Sequence, residues 1–123
     1  MNEEIERIFQ NFSVNGESVP VKFLHYEGHG EPYVVYMETE DNDSLTADDD
    51  LQAYVTYYDF DVYSRGNYTA VINAVKSALI NHDWVWQVSR TSEDMFETDT
   101  GYYHKTLCFA TFKEVEEEWQ KSV

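Results

Sequence analysis

Seven carboxylates fall within METEDNDSLTADDD, Met37 to Asp50, and no lysine or arginine accompanies them. The first chemistry such a run suggests is cation binding. A calcium loop of the EF-hand kind needs oxygen ligands at positions one, three and five, a glycine at six and a glutamate at twelve. Counted from Asp41, Asp43 fills position three, but Leu45, Thr46 and Gln52 occupy five, six and twelve. Counted from Asp43, position three is already Leu45. The pattern fails at both starts. Runs of like charge repel and extend, so Glu38, Glu40, Asp41, Asp43, Asp48, Asp49 and Asp50 read as a solvated, mobile loop.

The remaining reactive side chains do not assemble. His25 and His29 are four apart, in a stretch that reads as strand and turn, so they do not share a helical face. His104 and Cys108 are also four apart, but on a strand that spacing puts them on one face and too far apart to chelate one zinc ion. Cys108 lies in an apolar strand, where a free thiol behaves as a small hydrophobe. A catalytic carboxylate needs burial to raise its pKa, which open loops do not supply. There is no Gly-rich phosphate loop, CxxC pair, HExxH or GxSxG. No catalytic, cofactor-binding or metal-ligating residues are expected, and none of this points to an enzyme.

The formal charge is -16, from 24 acidic and 8 basic side chains, which disfavours binding DNA or anionic lipid through a basic face. With 42% hydrophobic and 16% aromatic residues the chain can nonetheless bury a core, and residues 1–123 read as one domain. MNEEIERIFQ lacks the basic start and apolar stretch of a signal peptide, and no run approaches a membrane span. The single cysteine excludes an internal disulfide and fits a reducing compartment, so the sequons at Asn11 and Asn67 read as chance matches.

Ile5, Ile8, Phe9 and Phe12 form one stripe of a short N-terminal helix that Asn15-Gly16 ends. Val19, Val21 and Phe23 alternate as a strand, and Tyr33 to Glu38 form a second; with the turn at Glu27 to Pro32 they predict a hairpin. In LQAYVTYYDFDVYS the apolar parity flips at Tyr57-Tyr58. A β-bulge there would turn both sets to one core; otherwise the strand is buried on different faces along its length. Tyr68, Val71, Ile72, Val75 and Leu79 make a helical stripe, with Asn67 as N-cap and Asn81 as a left-handed terminator. Trp84, Trp86 and Val88 alternate as a strand, 89–101 is a polar connection, and YYHKTLCFATF is a long strand. Thr111 to Glu114 fits a capping box for a last short helix bearing Val115 and Trp119. The expected fold is α+β: an antiparallel or mixed sheet, one long helix across it, and short helices at both ends.

The order of these pieces resembles the tail terminator, or tail completion, family of long-tailed bacteriophages and prophages. The resemblance rests on Asp61-Val62-Tyr63-Ser64, then Arg65-Gly66-Asn67-Tyr68-Thr69, then Val75-Lys76-Ser77-Ala78-Leu79 in the helix. Glu97-Thr98-Asp99-Thr100 and Tyr103-His104-Lys105 complete it. It covers Leu51 to Phe112 well and the upstream strands passably; Phe96 stands where related sequences often have tyrosine, and the acidity of 38–50 is greater than expected. The resemblance implies a structural virion protein at the head-proximal end of the tail, assembled in the host cytoplasm. It implies a ring, usually a hexamer, that caps the tube of major tail tube protein, stops its polymerisation and presents a surface to the head-side connector. Such a protein uses no cofactor and no turnover, and DNA passes through it without specific binding.

In that setting the acidic loop is expected to face the lumen or the tube mouth. Tyrosine gives contact area at low entropy cost, so Tyr57, Tyr58, Tyr63, Tyr102 and Tyr103 are the expected subunit interface. Strand 102–112 is the expected edge for pairing around the ring. The alternative is an acidic DNA mimic, whose carboxylates would occupy the basic cleft of a DNA-binding protein. A mimic is expected as a monomer or dimer, a terminator as a sixfold ring.

Overall fold

A computed structural model describes residues 2–47 and 50–114. The fold is α+β, a mixed six-stranded sheet with two helices. The first helix, α1 (Glu3–Ile8), is capped by Asn2, whose side chain accepts from the Ile5 amide at 2.9 Å. Asn15 and Gly16 do not end this helix. They turn a small hairpin, β1 (Ser13–Val14) with β2 (Glu17–Ser18), and both have positive φ, as a two-residue hairpin turn requires.

The main sheet runs β3 (Val21–Phe23), β4 (Tyr33–Ala47), β5 (Asp50–Ser64), β8 (Tyr103–Glu114), then β6 (Val85–Trp86), with β7 (Met95–Phe96) also on β8. The expected hairpin between 19–23 and 33–38 is instead a parallel pair, Val21 opposite Val34 and Phe23 opposite Tyr36. A parallel return needs a crossover, and residues 24–32 supply one because β3 is only three residues long. The Tyr102 hydroxyl clamps that crossover, accepting from the Gly30 amide at 2.7 Å and donating to the Glu31 carbonyl at 2.9 Å. At Gly28 the packing leaves no room for a side chain, since a Cβ would stand 2.4 Å from the Tyr33 ring.

The segment expected to be a mobile loop, Glu38 to Asp50, is largely strand: β4 continues to Ala47 and β5 begins at Asp50. Aspartate and asparagine are poor strand formers, but the opposing β5 residues Tyr54, Val55 and Thr56 are good ones, and the shared ladder decides. Asp48 and Asp49 lie outside the described residues. The expected bulge at Tyr57-Tyr58 is not in β5, whose ladder with β8 is unbroken from Ala53 to Ser64. It lies in β4, between Glu38 and Asn42, where four steps of β4 match two of β5. Val55 and Tyr58 are consequently buried on opposite faces, the other of the two readings.

The helix α2 (Tyr68–Ile80) has 13 residues and buries Val71, Ile72, Val75 and Leu79, as its stripe predicts. It is the one helix of seven or more residues among those described. Asn67 makes no side-chain cap bond and Asn81 is right-handed; the left-handed residue after the helix is Asp83, at φ 68. Trp84 to Val88 form only the two-residue strand β6, followed by a 3-10 turn at Val88–Arg90. The 89–101 connection contains β7. β8 extends through Glu114, so the capping-box residues belong to a strand, and the expected C-terminal helix at 115–123 lies outside the described residues.

The main core lies under α1 and α2. Tyr36, Tyr58, Phe60, Val62, Leu107 and Phe109 pack there against the helical stripes and Trp84. The second face carries a smaller cluster, Tyr33, Val35 and Tyr102, flanked by Tyr26 and Tyr63. The expected ring edge, 102–112, is interior over most of its length: β8 lies between β5 on one side and β6 and β7 on the other. The sheet's margins are β3 and the β6–β7 segment. No helix among the described residues is long and apolar enough to cross a membrane.

Candidate functional site

Past Tyr36 and Tyr58 the sheet leaves the helices behind and β4, β5 and the end of β8 continue as a three-stranded ribbon. At roughly 3.3 Å per residue, a 15-residue strand spans about 50 Å. No lysine or arginine occurs between Lys22 and Arg65, so the ribbon's carboxylates meet no cation from their own two strands. Glu38, Glu40, Asp41, Asp43 and Asp50 all belong to these strands, and Glu38 is exposed where the ribbon leaves the body. Its base borders a groove of about 710 Å³, lined among others by Glu3, Glu4, Glu38, His82 and Asp83. Among the described residues no three His, Cys, Asp or Glu side chains are grouped to hold a metal ion. What the ribbon offers is a run of carboxylates carried on two paired strands.

The five tyrosines expected at a subunit interface separate by burial. Tyr58 is core, its hydroxyl accepting from the Asn2 side-chain amide at 2.9 Å, and Tyr102 is buried under the crossover it clamps. Tyr57 is half-buried, with the Arg90 guanidinium 4.0 Å from its ring centre. Tyr63 is stacked between Tyr33, at 4.6 Å, and His104, at 4.1 Å. Only Tyr103 is exposed, beside Phe96 at 4.9 Å. Packing inside one chain therefore accounts for Tyr58 and Tyr102.

The second face also gathers polar groups that spacing alone did not connect. Thr106 donates to Asp61 Oδ1 at 2.6 Å, and His104 Nε2 lies 3.9 Å from the same oxygen. His104 and Cys108 are four strand residues apart, about 13 Å, and Cys108 is fully buried. Burial pushes both Tyr33 and Tyr63 hydroxyls up to about 12; Tyr63 adds to the rise at Tyr33, and the Asp61 charge to that at Tyr63. Below pH 10, their ordinary value, this contribution to stability is complete. It is lost as pH climbs through about 12, because the unfolded chain releases these protons first. The urea midpoint is expected to fall between pH 9.5 and 12, and the Tyr33→Phe, Tyr63→Phe double variant should show a shallower fall; an equal fall in both proteins would exclude this pair as the cause.

Two exposed features were missed in the sequence. On the β7 margin Phe96 and Tyr103 form an exposed aromatic pair on one face and Met95 is exposed on the other, for which the signal was an apolar pair, Met95-Phe96, set within acidic and polar neighbours. Leu24, after β3, is exposed and sits at φ 65, where a leucine is rare, and no pattern in the sequence marks it. Compared with protein-family models and with curated proteins, the chain matches none.

Proposed function

We propose that this chain is a phage tail completion protein: a ring on the head-proximal end of the tail tube that stops polymerisation and offers the head-side connector its joining surface. The observation that carries the reading is the acidic ribbon, with no lysine or arginine from Phe23 to Ser64, anchored in a well-packed α+β body. Viral DNA crosses the bore of such a ring. A wall of carboxylates repels the phosphate backbone and leaves it nothing to adhere to. Six copies bring a formal charge of about -96, six times -16. With a screening length of about 8 Å at physiological salt, that field still spans a narrow bore. The chain works by shape and charge, without cofactor or turnover.

The order of motifs from Leu51 to Phe112 supports the same reading. Tube growth gives the test. Light scattering from the tube subunit of the same genome should plateau early when this chain is added in sixfold excess over tube ends. Growth that proceeds at the same rate and to the same extent in its presence would remove the terminator role.

A further inference from the structure

On the side away from β5, β8 is bordered by two short strands that do not meet. β7 pairs with Tyr103 and His104, and β6 with Phe109 and Ala110. Between them the backbone amides and carbonyls of Thr106 and Cys108 face the strap that joins β6 to β7, residues 87–94, which forms no strand. The two carbonyls take backbone donors: the Ser92 amide donates to the Thr106 carbonyl at 2.9 Å, and the Gln87 amide to the Cys108 carbonyl at 2.8 Å. The two amides are met by side chains instead. Thr106 donates to Ser92 Oγ at 2.9 Å, and Cys108 to Thr91 Oγ1 at 3.3 Å. Thr91 Oγ1 is used to capacity, since it also accepts from Trp86 Nε1 at 2.8 Å and donates to the Gln87 carbonyl at 3.0 Å. Asp94 fastens the far end of the strap, accepting from the Tyr68 hydroxyl at 2.6 Å and lying 3.4 Å from Lys105 Nζ.

We infer that Thr91 and Ser92 are an edge guard: their hydroxyls occupy the strand-pairing donors of β8 and so keep this edge from adding the β8 of a second copy. The inference stands apart from the tail-completion reading. A strand in the same place would satisfy these amides but present a fresh row of donors and acceptors on its far side. A side-chain hydroxyl satisfies them and ends the ladder. What lies beneath needs such a guard. Thr106 to Phe112, TLCFATF, holds no charge, glycine or proline in a chain of formal charge -16. An open edge on a window of this kind is a template for another strand. The β8 of a second copy is the occupant with matching chemistry, because two identical edges set antiparallel about a two-fold axis exchange donors and acceptors.

Amide hydrogen exchange and light scattering on the full chain test it together. Thr91→Val with Ser92→Ala keeps the strap's size and removes both hydroxyls. In dilute solution exchange at the Thr106 and Cys108 amides should quicken by about tenfold or more. As concentration rises the double variant should associate where the parent does not, and exchange at the same two amides should slow again as a second strand takes them. Thr91→Ser, which keeps its hydroxyl, should match the parent in both measurements. Unaltered exchange at the two amides overturns the inference. So does quickened exchange with the parent's oligomeric state kept at every concentration, or association that leaves the two amides unprotected. Val71→Ala empties a fully buried site on α2 with the strap intact, and equal association by that variant would assign the effect to unfolding and overturn the guard. Should the double variant fail to fold, Ser92→Ala alone carries the test at Thr106. It must quicken exchange there and associate more than Thr91→Ser, and failure of either overturns the inference.

Discussion

Phe60→Ala should destabilise the fold by about 3–5 kcal/mol, the usual cost of emptying a fully buried aromatic site. Phe60 is completely buried at the centre of β5. Its ring lies within 6.5 Å, centre to centre, of Phe9, Tyr36, Tyr58, Trp84 and Phe109, so it joins α1, three strands of the sheet and the turn after α2. Those neighbours come from five separate parts of the chain and cannot collapse together into the space without shifting the sheet. A loss of this size is a large fraction of the stability of a domain of this size. Urea denaturation monitored by tryptophan fluorescence measures it. A change below about 1 kcal/mol would show that the core is not centred on this ring, and Phe60→Leu, which keeps most of the volume, should lose much less than the alanine variant.

Charge reversal in the ribbon should do the opposite: leave stability alone and disable function. Replacing Asp48, Asp49 and Asp50 with lysine moves the formal charge of one chain from -16 to -10. Breaking a run of like charge adds no repulsion to a chain of charge -16, so the urea midpoint should not fall. In six copies the change is 36 charges, six times six, placed by the ribbon reading along the path of the DNA. Lysines there would hold phosphates, and the field that keeps the path clear would be broken. Infectious yield of a phage carrying this variant should fall by about tenfold or more, through slowed genome ejection or failed tail joining. Normal yield would take the ribbon out of the mechanism while leaving the capping role to be judged separately.

The parts of the fold that the sequence announced are those decided locally. α2 was legible because Val71, Ile72, Val75 and Leu79 recur at helical spacing, and the two long strands because Phe60, Val62, Leu107 and Phe109 alternate. The direction of β3 was not legible, because apolar alternation says nothing of parallel or antiparallel pairing. The crossover that makes it parallel is held at Gly30 and Glu31 by a hydroxyl on Tyr102, some seventy residues away. The acidic segment was misread for a related reason: composition predicts solvation, but Tyr54, Val55 and Thr56 on the opposing strand supply the ladder. At the candidate site the carboxylates were visible at once, since charge needs no fold to be counted. The Tyr33, Tyr63 and His104 stack and the exposed Phe96 and Tyr103 pair became visible only once β4, β5, β7 and β8 lay side by side.

The central claim is that this polypeptide forms an annular cap whose bore is lined with negative charge. Electron microscopy of the chain mixed with tubes grown from the tail-tube subunit of the same genome tests it most directly. The expected image is sixfold density seated on one end of each tube, with tube lengths held uniform. Bare ends on tubes of unrestricted length, together with tight one-to-one binding of this chain to a basic-clefted DNA-binding protein, would contradict it and identify a DNA mimic instead.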